Sequence, residues 1–187
     1  MFLDRFLGSR RRRAAAYDLY VSVVEQARSP SFYEDLGVPD TVDGRFDLIA
    51  LHAFLVLHRC KQEGDEADET AQAFFDLFFG DMDRSLREMG VGDLSVGKRV
   101  KEMVAAFLGR VEAYEAGLSA DGPALEEALL RNLYRGQHPG ALALSGLTAY
   151  VRGEADALAE QDKKSLCAGR VRFGHSPRID NLAHGSD

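Results

Sequence analysis

Cysteine is scarce in this chain, with two in 187 residues, and tryptophan is absent. Cys60 and Cys167 lie far apart and form no CxxC pair, which argues against a disulfide or metal role and favours two buried or half-buried thiols in a reducing compartment. The start, MFLDRFLGSRRRR, places its apolar residues before its basic ones and has neither an h-region nor a small-residue cleavage site, so it is no secretory signal. No run approaches the roughly 20 apolar residues that span a bilayer. The expectation is a soluble, cytoplasmic chain that rests at most on the surface of the inner membrane. A basic excess is lacking too: 23 Lys and Arg face 30 Asp and Glu, for a net charge of -7. That balance excludes broad nucleic-acid binding and confines any basic contact surface to a local patch. There is no internal repeat and no alternating strand beyond a short RVRF near the end.

What is present is helical periodicity. Residues 11–28 carry Tyr17, Tyr20, Val21, Val24 and Ala27 at helical spacing. A stretch punctuated by Pro30, Gly37, Pro39 and Gly44 follows, and its Phe32, Tyr33, Leu36 and Val38 require burial, so it reads as a long ordered loop folded back over the core. RFDLIALHAFLVLHRCKQ is apolar on nearly every side, as a helix in the middle of a bundle must be. After a polar turn, Asp68 or Thr70 is placed to cap the next helix, in which Phe75, Phe78, Phe79, Met82, Leu86 and Met89 share a face. Gly90 ends it as a C-cap, and the following helix carries a stripe of Val100, Met103, Val104, Phe107, Val111 and Tyr114. Two shorter helices are expected over 123–134 and 139–162. The prediction is an all-α, single-domain bundle of about six helices over residues 1–164, with 1–10 a flexible start and 165–187 an extended or mobile tail.

GVGDLSVGKR, residues 90–99, has the G-x-x-x-x-G-K spacing of a phosphate-binding loop. Such a loop needs a buried strand before it and a hydroxyl after the lysine to ligate magnesium. Here the preceding segment has helical periodicity and Arg99 occupies the hydroxyl position, so the stretch reads as a helix end and a tight turn. Charge of both signs nevertheless crowds this corner: Asp81, Asp83, Arg84, Arg87, Glu88, Asp93, Lys98, Arg99 and Lys101. Asp83 with Arg87, and Arg84 with Glu88, have the i,i+4 spacing of helical ion pairs, which is worth too little to account for the clustering by stability alone.

The string FFGDMDRSLREMGVGDLSVGKRVKEM, with GRVEAY after it and FYEDLGVPDTVDGRFDLIALHAFLVLHR before it, resembles the ubiquinol-cytochrome c chaperone family. The resemblance runs over about residues 17–149. It implies an α-helical, non-enzymatic assembly factor for ubiquinol-cytochrome c reductase (respiratory complex III) whose client is the cytochrome b subunit. Mitochondrial members act with a small partner subunit near the ribosomal exit tunnel, so those two partners are implied as well. The compact chain with its short arginine-rich start has the look of a bacterial member. The family brings no catalytic residues and no cofactor. What it implies is a client-facing surface at the charged corner, on Asp81, Asp83, Arg84, Arg87, Glu88, Gly90, Gly92, Asp93, Lys98 and Lys101. Beside that surface, a neighbouring apolar groove is expected to shield part of the client.

Two further readings compete with that one. Asp76, Asp81 and Asp83 have a distant likeness to the aspartate-rich magnesium sites of helical prenyl-transferring enzymes, although no matching motif on a facing helix completes the set. The alternative to an enzyme is a general membrane or ribosome adaptor, in which Arg10, Arg11, Arg12 and Arg13 contact an anionic surface. His52 and His58 fall on opposite sides of one helix and do not pair as metal ligands, and no G-x-S-x-G nucleophile elbow is present.

Overall fold

The computed structural model describes residues 2–178, and every regular element among them is a helix. In chain order these are α1 (Phe2–Ala27), α2 (Ser31–Glu34), α3 (Val42–Lys61), α4 (Asp65–Glu88), α5 (Asp93–Ser119), α6 (Ala124–Asn132), α7 (Ala141–Ala159) and α8 (Lys163–Cys167). The all-α class stands. The helix count rises from six to eight because two short turns, α2 and α8, form inside segments that periodicity alone leaves as loop and tail.

α3 is the central helix and packs against α1, α4, α5 and α7. Its residues 50 to 56 are all buried, so the near-continuous apolar run does what its composition demands. Thr41 starts the helix by accepting the Gly44 N–H at 3.0 Å. Three polar residues of α3 are also buried and tie it to its neighbours. Asp47 accepts from Arg110 and Arg135, His52 meets Tyr150, and Arg59 donates to the Leu158 and Gln161 carbonyls at the end of α7.

α1 is longer than expected: the start that was to be flexible over 1–10 is helical from Phe2, in line with the good helix propensity of its Arg, Leu and Ala residues. Met1 lies outside the described residues. The buried face of α1 is also not the expected one. Ala15, Ala16, Leu19, Val23 and Ala27 face the core and Tyr17 is exposed, because small residues let α1 lie close against α3 and α4. α4 begins at Asp65 after Gly64, whose φ of 81 suits glycine. Neither Asp68 nor Thr70 caps it, and Thr70 is buried within the helix.

The loop between α1 and α3 is ordered as expected, with Phe32, Leu36 and Val38 buried and Tyr33 half-buried. The first part of the tail is docked as well. Val171 is buried, Phe173 sets its ring edge on His52 at 5.4 Å, and the Gly174 N–H donates to Glu154. Residues 171–178 form no regular element, and residues 179–187 lie outside the described residues. At the α5–α6 corner a Cβ on Gly117 would fall 2.7 Å from the Leu125 Cα, so only glycine lets the two helices approach so closely.

Candidate functional site: the corner between α4 and α5

Gly90 ends α4 as the sequence requires. Its φ is 82, its N–H donates to the Arg87 carbonyl at 2.9 Å, and the Val91 N–H reaches back to the Leu86 carbonyl at 3.0 Å. These two bonds make a Schellman motif, which satisfies carbonyls at the helix end. Gly92 is the residue before α5, and Asp93 opens that helix, where a carboxylate complements the positive end of the helix dipole. Gly97 and Lys98 lie within α5 itself. No strand delivers the chain to this turn, so the phosphate-loop spacing is a coincidence of two helix boundaries.

The turn is held by a three-residue clamp. Arg87 Nε donates to Asp83 at 2.6 Å, a second nitrogen of the same guanidinium approaches Asp83 at 3.4 Å, and a third donates to Asp93. Arg87 thus joins the last turn of α4 to the first turn of α5. The bond to Arg87 holds the Asp83 carboxyl below the usual range, and that to Asp83 raises the Arg87 guanidinium further above neutrality. Asp81 is also spoken for: the Tyr20 hydroxyl of α1 donates to it at 2.6 Å. Arg84 approaches Asp81 at 3.8 Å and does not make the expected pair with Glu88, whereas Lys98 lies 3.9 Å from Glu102.

The ten expected site residues therefore divide. Asp81, Asp83, Arg87 and Asp93, with the two glycines, build and brace the corner. Arg84, Glu88, Lys98 and Lys101 are exposed around it, as is Arg99. Among these charges stand two apolar side chains that the sequence reading misplaced or passed over. Met89, assigned there to the buried face, is 63% exposed, and Leu94 is fully exposed. A signal for Leu94 was available, since it lies two residues before buried Val96 and so about 160° from it around α5.

Farther along α4 and α5, Phe75, Phe78, Phe79 and Phe107 form an aromatic cluster with ring separations from 4.7 to 6.1 Å. These rings belong to the hydrophobic core, so the apolar groove expected beside the corner is not made by them. The groove that does reach it runs between α1 and α4, with a volume of about 610 Å³, and is mixed in character: Arg12, Arg13, Tyr17, Asp76, Leu77 and Arg84 line it. Of the four consecutive arginines of α1, Arg12 is paired with Glu69 at 2.7 Å and Arg11 and Arg13 are exposed.

The aspartates of the competing magnesium reading have separate partners: Asp76 accepts from Gln72, Asp81 from Tyr20 and Asp83 from Arg87. Among the described residues no three His, Cys, Asp or Glu side chains are grouped to hold an ion, and no helix is long and apolar enough to cross a membrane. Cys60 and Cys167 are not joined in a disulfide, and burial pushes the Cys60 thiol up to about 12, which leaves it unreactive.

A family model described as ubiquinol-cytochrome C chaperone matches residues 34–173. The chain is 27% identical over 154 residues to the ubiquinol-cytochrome-c reductase complex assembly factor 1 of Xenopus laevis, a match that covers 82% of this chain and 77% of that protein. The human protein of the same description is also 27% identical over 154 residues, with 52% of its length covered. The mitochondrial protein CBP3 of Saccharomyces cerevisiae is 25% identical over 146 residues, with 44% covered. The chain thus spans about half the length of these last two relatives. Among solved structures, a Cbp3 homolog from Brucella abortus superposes with a TM-score of 0.82 at 40% identity, over 96% of this chain and 98% of that one.

Proposed function

Because the chain belongs to the ubiquinol-cytochrome c chaperone family, we propose that it is a non-enzymatic assembly factor for ubiquinol-cytochrome c reductase, that cytochrome b is the subunit it holds, and that the α4–α5 corner is where it does so. The observation that carries the site assignment is the exposure of Met89 and Leu94 at the corner that also displays Arg84, Glu88, Lys98 and Lys101. An apolar centre with a charged rim is the usual anatomy of a protein-binding patch. The clamp through Arg87 keeps that patch in one shape, which lowers the ordering cost of binding. The charges select polar loops or helix ends of the client and speed encounter, while Met89 and Leu94 supply the area removed from water. The groove between α1 and α4 continues the surface from Arg84 and shelters an adjoining client segment until haem insertion or partner docking.

The test is a crosslinking pull-down from native membranes with the wild type and a Leu94→Asp, Arg84→Glu variant. Neither side chain is part of the clamp, so the variant folds normally, which circular dichroism checks. Enrichment of cytochrome b by the wild type and its loss with the variant is the expected result. Equal recovery by both would move the site elsewhere on the molecule, and recovery of a different reductase subunit would replace the client.

A further inference from the structure

Residues 171–174 follow α8 and are held between the end of α1 and α7. Their side chains alternate between the body and solvent: Val171 is buried, Arg172 exposed, Phe173 half-buried against the core and Gly174 exposed. The main chain is gripped at the two exposed residues, and by side chains. Gln161 accepts from the Arg172 N–H at 2.9 Å and returns a bond to the Arg172 carbonyl at 2.6 Å. Two residues on, the Gly174 N–H donates to Glu154 at 3.0 Å, and Gln26 donates to the Gly174 carbonyl at 2.9 Å. Among the described residues no main-chain bond ties 171–174 to another element. Reading N–H and C=O at alternate residues while the body takes the side chains between them is how peptide-binding domains recognise a chain.

The segment leaves part of its seat empty. An open cavity of about 1080 Å³ lies beside it, with Tyr17, Val21 and Ala157 as apolar lining and Asp18, Glu160 and Asp162 as carboxylates. Arg170 and Arg172, next to and within the segment, supply all the positive charge of that lining. With the segment lifted away, an exposed tyrosine, two aliphatic side chains and three carboxylates remain, whose complement is a basic, apolar chain. We propose that this seat is a peptide-binding groove, that residues 170–174 occupy it as a stand-in, and that its partner is a protein segment with the same order of residues: basic, aliphatic, basic, aromatic, glycine. Glycine is favoured at the last position because a Cβ there would fall 2.5 Å from a Glu154 oxygen. A longer partner also gains contacts in the cavity that the stand-in does not make, which lets it displace an attached segment. The proposal does not depend on the client or on the α4–α5 corner.

The test is fluorescence anisotropy on the full chain with a labelled peptide of residues 169–176, GRVRFGHS, and a scrambled peptide of the same composition as the control for charge. Two variants release the attached segment. Phe173→Ala removes its half-buried anchor, and Arg172→Pro deletes the N–H that donates to Gln161 while leaving Val171 and Phe173 in place. Gln161→Ala, added to each, removes the grip of the groove itself. The wild type binds the peptide weakly, because the attached segment competes at an effective concentration of about 1 mM. Each release variant should bind it about tenfold tighter or more, and Gln161→Ala should abolish that gain. Release variants that bind no better than the wild type, a gain that survives Gln161→Ala, or equal binding of the scrambled peptide overturns the proposal. Unfolding of both release variants, followed by circular dichroism, overturns it as well, since the segment is then a fixed part of the core.

Discussion

Acidification should weaken this fold through one side chain, His52. It is fully buried, and its Nδ1 lies 2.8 Å from the Leu48 carbonyl, which can only accept, so that nitrogen carries the proton. Nε2 then accepts from the Tyr150 hydroxyl at 2.9 Å, and Tyr150 in turn accepts from Gln26 at 2.8 Å. The chain of bonds links α1, α7 and α3, and it works only while the imidazole is neutral. Burial pulls the His52 pKa from its ordinary 6.5 down to about 4. Between those values the unfolded chain takes up a proton that the folded chain refuses. Stability is therefore full above pH 6.5 and falls with pH until about 4, below which both states are protonated. At about 1.4 kcal/mol per pH unit, the gap amounts to about 3 kcal/mol. The assay is urea unfolding from pH 7 to pH 4 on the wild type and on His52→Gln, which removes the titrating group and leaves the other ionisable residues in place. The stability difference between the two proteins should shrink by about 3 kcal/mol over that range. A difference that stays constant with pH would refute the reasoning.

Two more substitutions probe the packing that presents the surfaces. Gly117→Ala forces its new Cβ against the backbone of Leu125, so it should lower unfolding free energy by about 1–3 kcal/mol in urea melts. Asp47→Ala strips Arg110 and Arg135 of their shared buried partner and should cost about 3 kcal/mol, near the lower end for a broken buried pair because Arg135 is half exposed. A melt unchanged from the wild type would show that solvent takes over the role of Asp47.

Much of the fold is legible because the helices are long and their apolar spacing is unambiguous. α3 announces its central place through a run with hardly a polar face, and α5 buries or half-buries the stripe its spacing predicts. α1 misleads for a physical reason. A pattern search favours its large tyrosines, but close helix packing selects Ala15 and Ala16, whose small size carries little pattern signal. The charged corner is legible as a place and not as a mechanism. Spacing pairs Asp83 with Arg87, yet nothing in it reveals that Arg87 also reaches Asp93 across the turn, or that Tyr20 takes Asp81.

The sequence by itself determined the helical class, the boundary at Gly90, the burial of α3 and the family to which the chain belongs, because each of these rests on residues close together along the chain or on one long specific string. Only the tertiary structure decided which charges are consumed and which are displayed, that Leu94 and Met89 stand in solvent, and that Arg110 and Arg135 converge on Asp47. Those outcomes depend on contacts between residues far apart along the chain, up to 148 positions in the bond from Gln26 to the Gly174 carbonyl. Such contacts are set by how whole helices pack, and local spacing holds no record of that packing.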